Sequence, residues 1–96
     1  MHWMLLYELV DDYLERRAPL RSEHLALAQA SHAKGELLLA GAFAEPADRA
    51  ALVFRADDRS VVEAFVAADP YVEQGLVASW TIRPWTVVIG GDGQAP

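Results

Sequence analysis

The chain has 96 residues, 53% of them hydrophobic, and a formal net charge of −6. This length suits one domain with a packed core, and the acidic balance argues against nucleic acid as a partner. Cysteine is absent, which excludes thiol catalysis, disulfides and thiolate metal sites.

Membrane and export signals are also missing from the sequence. No apolar run approaches the roughly 20 residues that span a bilayer, and Met1–Leu6 lacks the basic region that begins a signal peptide. We therefore expect a cytoplasmic protein that has no membrane partner.

The first half of the chain predicts a strand, a helix and a hairpin. Apolar residues alternate from Trp3 to Leu9, which predicts a buried first strand. Pro19 and Gly35 mark the two ends of a helix over residues 20–34. Strands over residues 36–43 and 50–56 follow, and they are close enough in sequence to form a hairpin.

A second helix is predicted between Ser60 and Asp69. Ser60 and Glu63 fit a capping box at its start, and Pro70 disfavours helical geometry at Asp69. The apolar face contains Val61, Phe65 and Ala68, with Val62 and Val66 beside it.

Two further strands are predicted after this helix. Residues 76–83 alternate, with Leu76, Ala78, Trp80 and Ile82 on one face, and Trp85–Ile89 follow Pro84 as an edge strand. The element order predicts an α+β, ferredoxin-like βαββαβ fold with an antiparallel sheet. Residues 1–90 form the single domain in this interpretation, and residues 91–96 form a flexible tail.

Several strands are apolar on both faces, although two helices cover only one face of such a sheet. A homodimer joined sheet to sheet would hide the other face. Residues on one or other face that we expect to contribute are Trp3, Leu37, Leu39, Trp80 and Ile82. The alternative is a monomer with ordinary surface exposure.

His24 and Asp69 are the strongest candidates for chemistry. His24 borders the apolar stripe of the first helix, and a carboxylate that orients an imidazole makes a general base near neutral pH. Asp69 stands at a helix end where the dipole disfavours its charge, so it needs a donor. The opposing interpretations are a structural histidine and an Asp-Pro turn.

Three neighbouring side chains are candidates for binding substrate. Arg17 and Arg21 lie on the turns adjacent to His24 and suit a small anion or enolate, and Tyr71 can direct its hydroxyl to the same cleft. His2 and His32 are weaker candidates. No metal-ligand spacing and no nucleotide-binding motif is present, so we expect neither a metal site nor a cofactor.

The arrangement of these fragments resembles the YCII-related (YciI-like) family over residues 4–85. The matching pieces are Arg16-Arg17, Arg21-x-x-His24-Leu25, Gly35-x-Leu37-Leu38-x-Ala40-Gly41, Ser60-x-x-Glu63-Ala64, Asp69-Pro70-Tyr71, Gly75-Leu76 and Ile82-x-Pro84-Trp85. The resemblance implies a dimeric α/β barrel of ferredoxin-like subunits. It also implies an active site in which His24 faces Asp69.

Three functions fit these residues. The first is a small cofactor-independent enzyme that uses a His24–Asp69 dyad on a small oxygenated or aromatic metabolite, as a lyase, isomerase or dehalogenase. The second is a dimer that binds a small ligand without turnover. The third is a monooxygenase of the related dimeric α/β-barrel group, either cofactor-free or haem-using.

Overall fold

Four antiparallel strands form one sheet in the computed structural model, which describes residues 1–90. The strands are β1 (His2–Leu9), β2 (Leu37–Ala42), β3 (Arg49–Arg55) and β4 (Val77–Trp85). Their order across the sheet is β2-β3-β1-β4, with β2 and β4 at the edges. The predicted hairpin is present as the antiparallel pair of β2 and β3.

The helices pack against one face of this sheet. They are α1 (Tyr13–Arg16), a 3-10 turn (Ala18–Leu20), α2 (Arg21–Ala33), α3 (Arg59–Ala68) and α4 (Pro70–Glu73). The long helices α2 and α3 are the two that the sequence predicts, whereas the single-turn helices α1 and α4 are additions to it. The α+β, ferredoxin-like arrangement is confirmed.

The core lies between the sheet and the helices because alternate strand residues point to that side. Leu5 is paired with Leu52 on one side and Ile82 on the other, so three strands contribute to one buried row. Phe54 meets Phe65 of α3 edge to face, with 5.2 Å between ring centroids. This packing holds α3 at a fixed height over β1 and β3.

The start of α3 differs from the predicted capping box. Asp58 occupies the N-cap position, Ser60 Oγ donates to an oxygen of Asp58 at 3.2 Å, and Glu63 pairs with Arg59 at 3.3 Å. The inner face of the helix differs as well. The buried residues are Val62, Phe65 and Val66, rather than Val61, Phe65 and Ala68.

The predicted fifth strand is wrong. One strand, β4, continues through Pro84 to Trp85, and residues 86–90 form no strand. Proline is tolerated there because β4 lies at the sheet edge. A register shift opposite Glu8 and Leu9 also changes the inward set, so that Val77 and Ile82 are buried. The predicted tail, residues 91–96, lies outside the described residues.

The second sheet face has no helix over it within residues 1–90. Its centre contains Met4, Leu6, Leu39, Ala51 and Val53, which the strand pairing places on the same side. Leu39 is 71% exposed and Leu6 is 40% exposed. We call these five residues the open face.

Most of the residues predicted for the dimer contact do not belong to the open face. Trp3, Leu37 and Ile82 are buried beneath the helices, and Trp80 is paired with Tyr7, which places it on the helix side. Of the predicted set, Leu39 alone lies on the open face. Alternation separates the two faces of a strand without showing which face the helices cover.

Candidate active site

The Asp69-Pro70-Tyr71 step joins two helices and fixes an acid between them. Asp69 follows the last residue of α3 with an extended backbone, as expected for a residue before proline. Its Oδ1 accepts from the amide of Tyr71 at 3.0 Å and so caps α4. The carboxylate is therefore held in one orientation by its own chain.

His24 of α2 meets this carboxylate. Its Nδ1 lies 2.8 Å from Asp69 Oδ1, and Asp69 is fully buried whereas the His24 side chain is 15% exposed. A carboxylate only accepts, so the hydrogen-bond network assigns the proton to Nδ1 in the neutral ring. Nε2 then carries the lone pair.

Tyr7 is a third member of this network that the sequence analysis did not single out. Its hydroxyl donates to Asp69 Oδ2 at 2.8 Å across a separation of 62 residues. Burial first, and then the charge and hydrogen bond of Asp69, raise the pKa of the Tyr7 phenol well above its usual range. Tyr7 therefore acts as a donor at every ordinary pH.

The Tyr71 ring covers one face of the imidazole. The two rings are parallel, with an interplanar angle of 6° and a centroid separation of 3.8 Å. Tyr13 meets the Tyr71 ring edge to face at 5.7 Å, and the Arg17 guanidinium lies 5.4 Å from the centre of the Tyr13 ring. The Asp69-Pro70-Tyr71 step therefore supplies both the hydrogen bond and the stacking surface for His24.

The Tyr71 hydroxyl is buried, and within residues 1–90 no group meets it with full hydrogen-bond geometry, although Arg21 lies close enough to interact with it. Burial and the neighbouring Tyr13 raise the pKa of this phenol, while Arg21 and Arg17 act in the opposite direction. A buried polar atom without a partner is uncommon in proteins. Here it lies beside two cationic side chains at a cavity.

This cavity has a volume of about 170 Å³ and lies between α2 and the sheet. Its polar wall contains Tyr7, Tyr13, Arg17, Arg21, His24 and Tyr71, and its small wall contains Ala40, Gly41 and Ala42 of β2. A cavity of about 150 Å³ is enough to hold benzene. Asp69 lies behind His24 and does not line the space.

The structure thus brings together all five predicted site residues. His24 and Asp69 are in contact, and Arg17, Arg21 and Tyr71 border the same cavity as His24. His32 lies elsewhere, where its Nδ1 bonds the carbonyl of Leu37 at 2.7 Å. Within the described part of the chain, no cluster of three or more His, Cys, Asp or Glu side chains is arranged to hold a metal ion.

Comparison with known families agrees with this architecture. The profile of the YCII-related domain matches residues 1–86. The chain belongs to the YCII-related family. A comparison with functionally curated proteins finds none that matches. In residues 1–90 no helix has both the length and the apolar character needed to cross a membrane.

One solved structure of similar fold is 5-chloro-2-hydroxyhydroquinone dehydrochlorinase (TftG) from Burkholderia phenoliruptrix AC1100, in complex with 2,5-dihydroxybenzoquinone. The TM-score is 0.75 with 20% sequence identity, over 88% of this chain and 93% of that one. At this identity the likeness establishes the fold alone. The sheet topology and this likeness agree on the ferredoxin-like fold of this YCII-related chain.

Proposed function

We propose that this protein is a cofactor-independent enzyme that uses His24 as a general acid and base on a small, oxygenated six-membered ring. One observation carries the proposal: the 2.8 Å contact between His24 and the buried Asp69 carboxylate, made at the wall of a ring-sized cavity. Asp69 orients the imidazole and stabilises the imidazolium that forms when Nε2 takes a proton.

The polar wall suggests how the ring is held. Arg17 and Arg21 border the cavity and have no carboxylate partner among the described residues. A phenolate or enolate oxygen near them would also accept a hydrogen bond from the Tyr71 hydroxyl, which has no acceptor within residues 1–90. We assign substrate binding to Arg21, Tyr71 and Arg17. The same three side chains would stabilise the negative charge that develops on the substrate during the reaction.

The reaction class is an elimination or isomerisation that begins with proton transfer. TftG is named as a dehydrochlorinase and binds a hydroxylated quinone, and a base at a ring-sized cavity suits the same type of step here. In such an elimination a hydroxyl group beside the C–Cl carbon first becomes a ketone, and its proton moves to that carbon. His24 then takes the proton of the hydroxyl para to the ketone, whose electrons form a second C=O group. The ring double bond shifts to the carbon that carries chlorine, and chloride leaves with the C–Cl electron pair.

A dehalogenation assay tests this proposal. Purified protein is mixed with chlorinated hydroxyhydroquinones, and chloride release is measured together with the absorbance of the quinone product. We expect His24→Ala to lose at least about a hundredfold in kcat/KM, because general base catalysis contributes about that much. His32→Ala is the matched control on the same helix and should retain the rate.

The same variants separate catalysis from simple binding. If the chain only binds the ring, Asp69→Asn weakens affinity and no substrate in the series is consumed by the wild type. If it is an enzyme, Asp69→Asn abolishes turnover while the quinone still binds. Equal rates of chloride release in wild type and His24→Ala would contradict the proposed role of the base.

Assembly as a homodimer is the second part of the proposal. The open face presents apolar side chains without a covering helix, and a patch of that kind seldom stays in water. A second copy offers the same face, so a two-fold contact would cover both at once. We assign the open face, rather than the helix side, to this contact.

A further inference from the structure

We infer that Tyr7 is a positioning residue that keeps the Asp69 carboxylate turned towards His24 and occupies the oxygen at which that carboxylate would otherwise accept a proton. The inference rests on the proposed acid and base role of His24, which it extends by one residue. Tyr7 does not exchange protons with substrate in this scheme. It acts through Asp69.

The hydrogen bonds that the Asp69 carboxylate accepts within residues 1–90 come from groups that are themselves fixed. Oδ1 accepts from the ring nitrogen of His24 at 2.8 Å and from the amide of Tyr71 at 3.0 Å. Oδ2 accepts from the Tyr7 hydroxyl at 2.8 Å. These donors belong to α2, α4 and β1, so three separate elements hold one carboxylate.

Burial makes this hydrogen bonding necessary. Asp69 is 0% exposed and Tyr7 is 2% exposed, so water does not replace a missing donor at Oδ2. An unpaired buried carboxylate oxygen is costly, and a donor to the anion makes it easier to bury. Tyr7 is the sole side chain within residues 1–90 that supplies this donor to Oδ2.

The arrangement decides where a proton taken from substrate resides. Because the Tyr7 phenol stays protonated, Oδ2 faces a permanent donor, and Oδ1 already accepts two bonds. A proton accepted by Nε2 therefore remains on the imidazole instead of passing to Asp69. His24 can then return it to the product.

The other groups around the His24 imidazole do not replace Asp69 and Tyr7 in stabilising the protonated ring. Tyr71 of α4 lies flat on the imidazole with Tyr13 of α1 behind it, and Arg17 and Arg21 approach from the cavity. No carboxylate lines the cavity in the described residues. Among residues 1–90, Asp69 is thus the one anion placed to stabilise the imidazolium, and the hydrogen bond from Tyr7 disperses part of the Asp69 charge.

The experiment is an NMR titration of the His24 ring nitrogens in the free protein, which needs no substrate. In Tyr7→Phe the carboxylate loses a donor, so the coupled His24–Asp69 pair holds its proton more strongly. We expect the midpoint of the His24 titration to rise by about one pH unit, the scale expected for one charge-assisted hydrogen bond. The acid limb of any pH–rate profile should move with it.

Trp3→Phe is the matched control. Trp3 is a buried, hydrogen-bonded aromatic residue of the same strand, whose Nε1 donates to the carbonyl of Ala56 at 3.1 Å. Its replacement should leave the His24 midpoint unchanged. An equal shift in both variants, or no shift in a folded Tyr7→Phe protein, would overturn the inference.

A second variant covers the case in which Tyr7→Phe does not fold. Site-specific 3-fluorotyrosine at position 7 keeps the size of the ring and makes the phenol a stronger donor. The His24 midpoint should then fall, and a rise or no change would contradict the role. Absence of turnover with every chlorinated ring would remove the proposed function but would leave these titrations interpretable.

Discussion

The two faces of the sheet differ in the groups that they bury and expose. The helix-covered face buries one carboxylate, Asp69, and supplies it with three donors. The open face buries no charge and leaves Leu6 and Leu39 exposed. Both faces are built from the same strands by alternation, so the difference arises from what covers them.

This contrast shows that burial alone does not make a reactive site. On the covered face, packing excludes water, and the low local dielectric strengthens each hydrogen bond to Asp69. On the open face, apolar surface is available but no ionisable group is held in place at its centre. We therefore assign chemistry to one face and assembly to the other, and each assignment can be tested separately.

Asp69→Asn should have the largest effect. The amide nitrogen would face at least one of the donors that now bond the carboxylate, and the imidazole would lose the partner that fixes its tautomer. We expect kcat to fall about a thousandfold, and the free energy of unfolding to fall by about 3 kcal/mol. Chloride release and urea denaturation measure the two quantities.

Asp12→Asn is the control for that substitution. Asp12 is an exposed residue that pairs with Arg16 at 3.7 Å, and exposed pairs contribute little. Both rate and stability should stay close to wild type. Comparable losses in Asp12→Asn and Asp69→Asn would mean that the buried network has no special role.

Leu6→Asp tests the open face. A charge at the centre of a dimer contact would be buried twice, once from each copy, so we expect association to weaken by at least a hundredfold. Light scattering should show the mass fall from twice 10.6 kDa to 10.6 kDa. Leu14→Asp, at a leucine that is 55% exposed and lies outside the sheet, should leave the mass unchanged.

Tyr71→Phe sharpens the comparison within the site. Phenylalanine retains the stacking on His24 but removes the hydroxyl, which has no acceptor for its proton within residues 1–90. If that hydroxyl binds substrate, KM should rise about tenfold with a smaller change in kcat. A tenfold loss confined to kcat would instead place the hydroxyl in the chemical step.

Alkaline pH should have the smallest effect, with a defined sign. The pKa of Tyr7 is raised by folding, whereas an exposed tyrosine ionises near pH 10, so unfolding releases a proton above that pH. The stability that Tyr7 contributes is complete below about pH 10 and falls above it by at most about 1.4 kcal/mol per pH unit. Urea denaturation of wild type and Tyr7→Phe between pH 8 and 11 measures this slope, which should be shallower in the variant.

The sequence predicts best those features that a residue imposes on its own stretch of backbone. Gly35 ends α2 with a φ of +80°, and Pro70 limits α3, because both act on their own backbone. The capping box does not form, because α3 begins at Arg59 and Ser60 Oγ donates to Asp58 instead of accepting from the backbone. Alternation places Tyr7 on the covered face but carries no information about a partner 62 residues away.

The same limit applies to the candidate site. The Asp-Pro step and a histidine in the first helix suggested a pair, and the structure brings the two within hydrogen-bond distance. The stacking of Tyr71 on His24 depends on the position of α4, a single turn that has no periodicity to reveal it. Residues that act through another side chain are therefore the hardest to find from sequence.

The small wall of the cavity has a consequence for the diversification of this protein. Ala40, Gly41 and Ala42 lie on an edge strand, opposite the base and away from every hydrogen bond to Asp69. Larger side chains at positions 40 and 42, which are paired with the buried Leu52 and Ala50, would narrow the cavity without touching the Asp69 network. A side chain at position 41 would instead point to the open face, because Gly41 is paired with Ala51. In the proposed enzyme, selectivity and reactivity would therefore depend on separate segments.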